Sequence, residues 1–495
     1  MLKRSFIIAC AITWASATEA AQSPPDLLDG LTALRQGRFE QAESFFDRVA
    51  RKDPLSPEGP LLLGFVVWWK MQLDPEDEAL RLRMEAHLEE AGRRADALSR
   101  EPDAVTRARG LELAGISKLM TAQSKAARGS PFSAGSLARQ GHRSLSLALE
   151  IRPDSPDALF AMGAYNYYAD RVSLLIKGLR AILFIPGGNE TLGIEQLETA
   201  ARESRTFGTE ALMLLGHIHS GNFEADHRRA LDYAREARER HPSSPLIALA
   251  YAELLFDLGY LHDAFALATE MEEQIREDPD YPPAMGARAA FRAAQSVLEL
   301  HDPLGALDRI EIAVRRYPGE ARREGPDWAR LAWLAARGAG EPPRARALLD
   351  ALELDADERT RYERKLARLD DSVAAPRARA LADLSAGRTE EARRQIESLL
   401  DENPRDPRLR YDLGRMLQMQ GRLEEASPHL NAAAVSDPGD IAGWAMLRLG
   451  WELERTGDRP AALQLYRRAA GLKRFTFRAA AIDRVSNPGC EEPEG

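Results

Sequence analysis

Two glycines five residues apart, Gly188 and Gly193 in the stretch GNETLG, have the spacing of a loop that cradles phosphates. Such a loop needs a lysine and then a serine or threonine after it, to reach the phosphates and a magnesium ion. Here Ile194 and Glu195 follow, no strand precedes, and Glu190 adds charge of the wrong sign. The segment is therefore expected to be a helix stop and restart. His217, His219, Asp226 and His227 offer the residue types of a metal site. Side chains two apart on a helix lie about 200° around its axis, so His217 and His219 cannot converge while the helix lasts. No metal is expected, because both spacing and outer-shell support are missing. Gly-x-Ser-x-Gly, His-Glu-x-x-His and Cys-x-x-Cys are all absent from the sequence. Acidic side chains are plentiful, but on helices they are expected to form solvated faces paired with arginines. Neither catalysis nor a cofactor is expected.

The elements that must position any site are short helices with a common period. Residues 407–440, PRLRYDLGRMLQMQGRLEEASPHLNAAAVSDPGD, read as two amphipathic helices joined by a tight turn. Leu413, Gly414 and Leu417 mark the inner face of the first, and Ala426, Leu430 and Ala433 recur at helical spacing on the second. Gly421 supplies the turn, and Pro438 closes the unit because a helix cannot easily continue through it. Gly414 and Ala426 are expected to face each other at the crossing. Gly387 to Gly421, Ala392 to Ala426, Pro404 to Pro438 and Ala230 to Ala264 are each 34 residues apart.

Those helix–turn–helix marks at a 34-residue period resemble the tetratricopeptide repeat family. The resemblance implies an all-α fold, a right-handed α-solenoid in which each repeat packs on its neighbours. Gly37, Ala42, Phe46 and Pro54 mark a first repeat at 24–56, and Gly141, Leu145, Ala148 and Pro153 mark another second-type helix. Residues 159–201 are less regular: the helix after Gly163 is expected to run to about Phe184, where Pro186-Gly187-Gly188 stops it. This aromatic cluster and break also look similar to a distant branch of the family that includes inclusion-clearance and outer-membrane-associated proteins.

Residues 1–20 read as a signal peptide: Lys3 and Arg4, an apolar core from Phe6 to Trp14, and small residues at Ala15-Ser16-Ala17. The rival reading, a lipidated Cys10, leaves too short an apolar core. Residues 21–320 are expected to form a solenoid, 321–372 a loosened joint with atypical helices, 373–485 the regular repeats with a capping helix, and 486–495 a disordered tail. After cleavage Cys490 is the one remaining cysteine, so no internal disulfide forms. No later run of some 18 apolar residues exists, so no span is expected after processing. The expectation is an exported protein of the periplasm or cell envelope, with peripheral envelope association as an option. The net charge of −10 argues against nucleic acid as a partner. Of the 67 basic residues 59 are arginines, read as a compositional bias shared with abundant alanine.

In the family the first helix of each repeat lines the concave face. The resemblance therefore places Arg408, Tyr411 and Arg415, with Gln418 and Met419, in the groove of one repeat, and Trp451 and Arg455, with Trp444, Leu447 and Glu454, in the next. A guanidinium fork beside flat aromatic area suits a protein or peptide partner and its carboxylates. Tyr165 and Tyr168 share a helix face three residues apart and form a second candidate contact surface, while Tyr167 points elsewhere. The functional expectation is a non-catalytic interaction scaffold. Two alternatives stand beside it: an assembly subunit of an envelope complex using its convex surface, and a ligand carrier or enzyme using residues 159–227, favoured by a pocket gathering His217, Asp226 or Tyr168.

Overall fold

A computed structural model describes residues 25–171, 186–220, 226–369, 372–436 and 439–486. The signal peptide, Cys10, the helix expected to reach Phe184, Pro438, Cys490 and residues 487–495 of the tail lie outside this set. Every regular element among the described residues is a helix, 25 in all. The first seven are α1 (Pro25–Gln36), α2 (Phe39–Lys52), α3 (Glu58–Leu73), α4 (Glu78–Leu98), α5 (Ala104–Ala127), α6 (Pro131–Ile151) and α7 (Pro156–Arg171). Next come α8 (Glu190–Glu203), α9 (Gly208–Ser220), α10 (His227–Arg240), α11 (Pro245–Asp257), α12 (Leu261–Glu277), α13 (Pro283–Glu299) and α14 (Pro303–Arg316). Then follow α15 (Pro318–Arg323), α16 (Gly325–Ala339), α17 (Pro342–Ala351), α18 (Ala356–Ala367), α19 (Ala374–Ser385) and α20 (Thr389–Glu402). The last five are α21 (Pro407–Met419), α22 (Leu423–Ser436), α23 (Asp440–Arg455), α24 (Arg459–Gly471) and α25 (Arg478–Ser486).

Helix follows helix in packed pairs, and the fold is a right-handed α-solenoid. Gly37 and Gly421 take φ of +84° and +74° in their turns, where a side chain would be strained. At the α21–α22 crossing, a Cβ on Gly414 would lie 2.7 Å from Leu430; the leucine, rather than Ala426, faces that glycine. Ala426 is itself fully buried in the core beside Leu430 and Ala433. The stretch 321–372, expected as a loosened joint with atypical helices, carries the end of α15 and then α16, α17 and α18, and it opens on α15 and α16. Each has a proline in its first turn, where a missing N–H costs nothing. Trp328 of α16 is fully buried and meets Phe291 edge-on at 4.9 Å.

The winding brings distant repeats together, which a purely neighbour-to-neighbour stack does not require. Arg35 of α1 pairs with Glu210 of α9 at 3.1 Å and donates to the Thr206 carbonyl at 2.7 Å. Arg38 pairs with Asp278 at 2.6 Å, and Arg323 with Asp74 at 2.8 Å. The seam is apolar too: Leu246, Leu249, Met271 and Met285 share a core with Leu27, Leu31 and Phe65. A second seam joins α11–α12 to the last repeats, with Phe256 against Phe477 at 5.5 Å and Leu255, Leu261 and Ala264 in the core of residues 373–481.

Candidate functional site

The regular repeats α19–α24 place the groove candidates in two different settings. Tyr411 is fully buried rather than at a groove surface; it accepts from Arg448 Nε at 3.1 Å and lies 5.1 Å from the His301 ring. Arg415 is turned to the same place, where its guanidinium donates to the Leu300 carbonyl at 3.2 Å. Burial pulls its pKa down, with Arg448 and Arg377 adding to that and Tyr411 and Asp412 opposing it. The α13–α14 turn of the same chain thus fills the hollow in front of α21. His301 has φ of +66° in that turn, a conformation that, Glu353 apart, glycines adopt among the described residues. Burial and the Arg415, Arg377 and Arg448 charges hold its imidazole well below the ordinary range. Gln418 donates to Glu452 at 3.0 Å and is buried. Trp444 is core as well, packed between Phe475 and Phe477.

Trp451 and Arg455 differ. Trp451 is half-buried on α23, and the exposed Arg455 places its guanidinium 4.9 Å from the ring centroid. Met419, at the end of α21, is 57% exposed. Arg408 is half-buried and pairs with Asp406 at 2.7 Å, the N-cap residue of α21. Of the five groove residues read from sequence, the structure therefore brings Trp451 and Arg455 together at the surface and draws Tyr411 and Arg415 inside.

The larger hollow lies in the first half of the chain. Inner faces of α3, α5, α6, α7, α9, α10, α11 and α13 line a hollow of about 1230 Å³. Its walls include a stacked pair, Phe65 and Trp68 at 5.6 Å, and a second, Phe160 and Phe207 at 5.0 Å. Tyr165 and Tyr168 both line it, as their shared face requires. Tyr165 donates to the Pro186 carbonyl at 2.7 Å, and Tyr168 is 47% exposed. Tyr167 faces the other way and is buried. At one end Arg288 forks onto Glu253, with one arm at 3.0 Å, and reaches the Gln72 carbonyl at 3.3 Å. Asp257 stands at that end, and burial raises its carboxyl, with Arg292 opposing and Glu253 adding.

His217 lines the cavity, whereas His219, on the opposite side of α9, is buried and stacks on Tyr233 at 5.6 Å. His227 is buried on α10, and Asp226 caps that helix by accepting from Arg229 N at 3.2 Å. Among the described residues no group of three His, Cys, Asp or Glu side chains could hold a metal ion. At 188–193 the Asn189 side chain caps α8 by accepting from Leu192 N at 3.1 Å. A Cβ on Gly193 would lie 2.7 Å from the Tyr167 nitrogen and 2.8 Å from the Gly163 carbonyl. Close approach of α7 and α8 accounts for that glycine. Tyr165, Tyr168 and His217 are the wall residues that type and spacing single out in the sequence; the apolar remainder of the wall, including Phe65 and Trp68, carries no local mark of a cavity.

Residues 383–449 match the family model described as tetratricopeptide repeat. Among solved structures, yeast Tom70 is 12% identical, with 89% of this chain and 96% of that chain covered and a TM-score of 0.29. A monomeric mutant of IFIT1 with Gppp-AAAA is 15% identical over 82% of this chain and 79% of that chain, also at 0.29. A chain from the Naa15/Naa10 complex bound to HypK-THB is 14% identical over 89% and 67%, at 0.27. No curated protein matches the sequence. No described helix is long and apolar enough to cross a membrane.

Proposed function

We propose that this chain, whose residues 383–449 are tetratricopeptide repeats, is an exported, non-catalytic scaffold that binds a protein or peptide partner at the cell envelope. Repeats of this kind present long helical surfaces, and fold alone does not choose the partner. The observation that carries the reading is the Trp451–Arg455 pair, a ring held under a guanidinium at 4.9 Å on a half-exposed face. Tryptophan and arginine are the residue types most often found as binding anchors. Exposed Met419 on the preceding first-type helix adds apolar area. The net charge of −10 speaks against nucleic acid.

Affinity capture from the organism's own envelope fraction tests the scaffold. The double change Trp451→Ala with Arg455→Ala should lose the partner, each anchor being worth about 2 kcal/mol or more, with helix content unchanged. Arg467→Ala on α24 is the control. Loss of the partner through Arg467 alone would favour assembly through the convex face. Export is tested separately: the mature amino terminus should lie near Thr18 or Ala21, and a lipid on Cys10 would overturn that cleavage.

A further inference from the structure

We propose that the cavity of the first half binds a hydrocarbon chain, the acyl or prenyl portion of an amphiphile whose polar end is uncharged or cationic. This goes beyond scaffolding and uses none of the α21–α23 surface. The walls decide the class of occupant. Trp68, Leu119, Phe160, Met213, Leu249 and Met285 come from six different helices, so apolar surface surrounds the hollow instead of forming one stripe. An extended peptide brings an N–H and a C=O with every residue, and each costs free energy when buried without a partner. An amphipathic helix satisfies its own backbone, but its apolar stripe spans only a little over about 100°, leaving polar side chains against the remaining wall. A hydrocarbon chain has neither difficulty. The volume of about 1230 Å³ exceeds the roughly 300–1,000 Å³ of sites for compact ligands, which suits a long or branched chain.

The polar end sets the charge. Among the described residues the cavity lining holds three carboxylates, on Glu210, Glu253 and Asp257, against one guanidinium, Arg288. Arg35 satisfies Glu210 from outside the lining, and Arg288 is forked onto Glu253. Asp257, exposed in the lining with the Arg292 charge nearby, is the remaining carboxylate and the group a hydroxyl or ammonium head would meet. A fatty carboxylate would bring a second anion to the same place.

The test uses the full mature protein without detergent, titrated with dodecylamine, dodecanol and dodecanoate below their aggregation concentrations and read by native mass spectrometry. Saturable binding of the amine or the alcohol at one site is expected, with dodecanoate at least about tenfold weaker. Met213→Trp, which fills the hollow, and Trp68→Ala, which removes a wall, should each weaken binding about tenfold or more. Trp451→Ala should leave it unchanged, which separates this site from the scaffold surface. Circular dichroism selects the variants that keep wild-type helix content, and Met213→Trp suffices if Trp68→Ala does not. The proposal is overturned if neither the amine nor the alcohol saturates, if dodecanoate binds equally well, or if the filled variant binds like wild type. It is equally overturned if a basic amphipathic model helix binds this cavity more tightly than the amine, since the occupant would then be a peptide.

Discussion

Arg377 and Asp412 form a bidentate pair at 2.5 and 3.1 Å, with the carboxylate side chain fully shielded from solvent. Removing one partner strands the other charge, so Arg377→Ala should cost about 3–5 kcal/mol in urea unfolding. The double change Arg377→Met with Asp412→Leu should recover much of that loss. Glu299 gives a pH signature. Burial, with Asp440 adding and Arg330 partly opposing, raises its carboxyl to about 8. The native state then keeps a proton that the unfolded chain has already released. Its contribution is fully present below the ordinary carboxylate range and is lost as pH rises to about 8, at no more than about 1.4 kcal/mol per pH unit. Glu299→Gln should remove that slope, measured as the difference between the two proteins' urea midpoints from pH 5 to 9; parallel curves would contradict it. At this scale the sequence was least informative. Tyr411 and Arg415 have the types of surface anchors, but their partners Leu300 and His301 sit more than a hundred positions earlier. Local spacing carries no trace of that encounter.

Single helices and their pairings were far more legible. Turn glycines at Gly37, Gly259, Gly387 and Gly421 all take positive φ, and the second-type helices bury the alanines that the 34-residue period singled out. Small residues and helical spacing are local requirements, so they survive in one dimension. Gly193 shows where this reading ran out: its spacing suggested a phosphate loop or a plain helix restart, while its use is the close crossing of α7 and α8. The cavity was hidden for the same reason, since its wall is assembled from eight helices that come together only in the fold. Ala426, fully buried on α22, offers a test of the pairing itself. Ala426→Leu should overpack the crossing at about 1–3 kcal/mol. Hydrogen exchange should show lost protection across residues 407–436, and unchanged protection there would mean the repeat is packed differently.

Seen whole, the molecule is a wound solenoid whose successive turns touch. Phe477 is buried against Phe256, which precedes it by more than two hundred residues. In a stack coupled only through neighbours, Phe477→Ala would loosen α23–α25 and little else. Here it should cost about 3–5 kcal/mol and also lower exchange protection in α11 and α12. Damage confined to the last three helices would show that the seam contributes nothing. The same seams bear on how the chain reaches this state. Helix pairs close over a few tens of residues, whereas Arg38 must meet Asp278 across a separation of 240. Loop closure over such a span adds only modest free energy, about 0.6 kcal/mol per doubling of length, but non-local contact of this kind is what slows folding. Refolding from urea should therefore split into a fast helical phase and a slow one that registers the seams. A ribosome extending the chain from its amino end would leave Arg38 and Gln41 without Asp278 and Asp280 until the residues after α12 had emerged, and that interval is when the protein is most open to aggregation or to a chaperone.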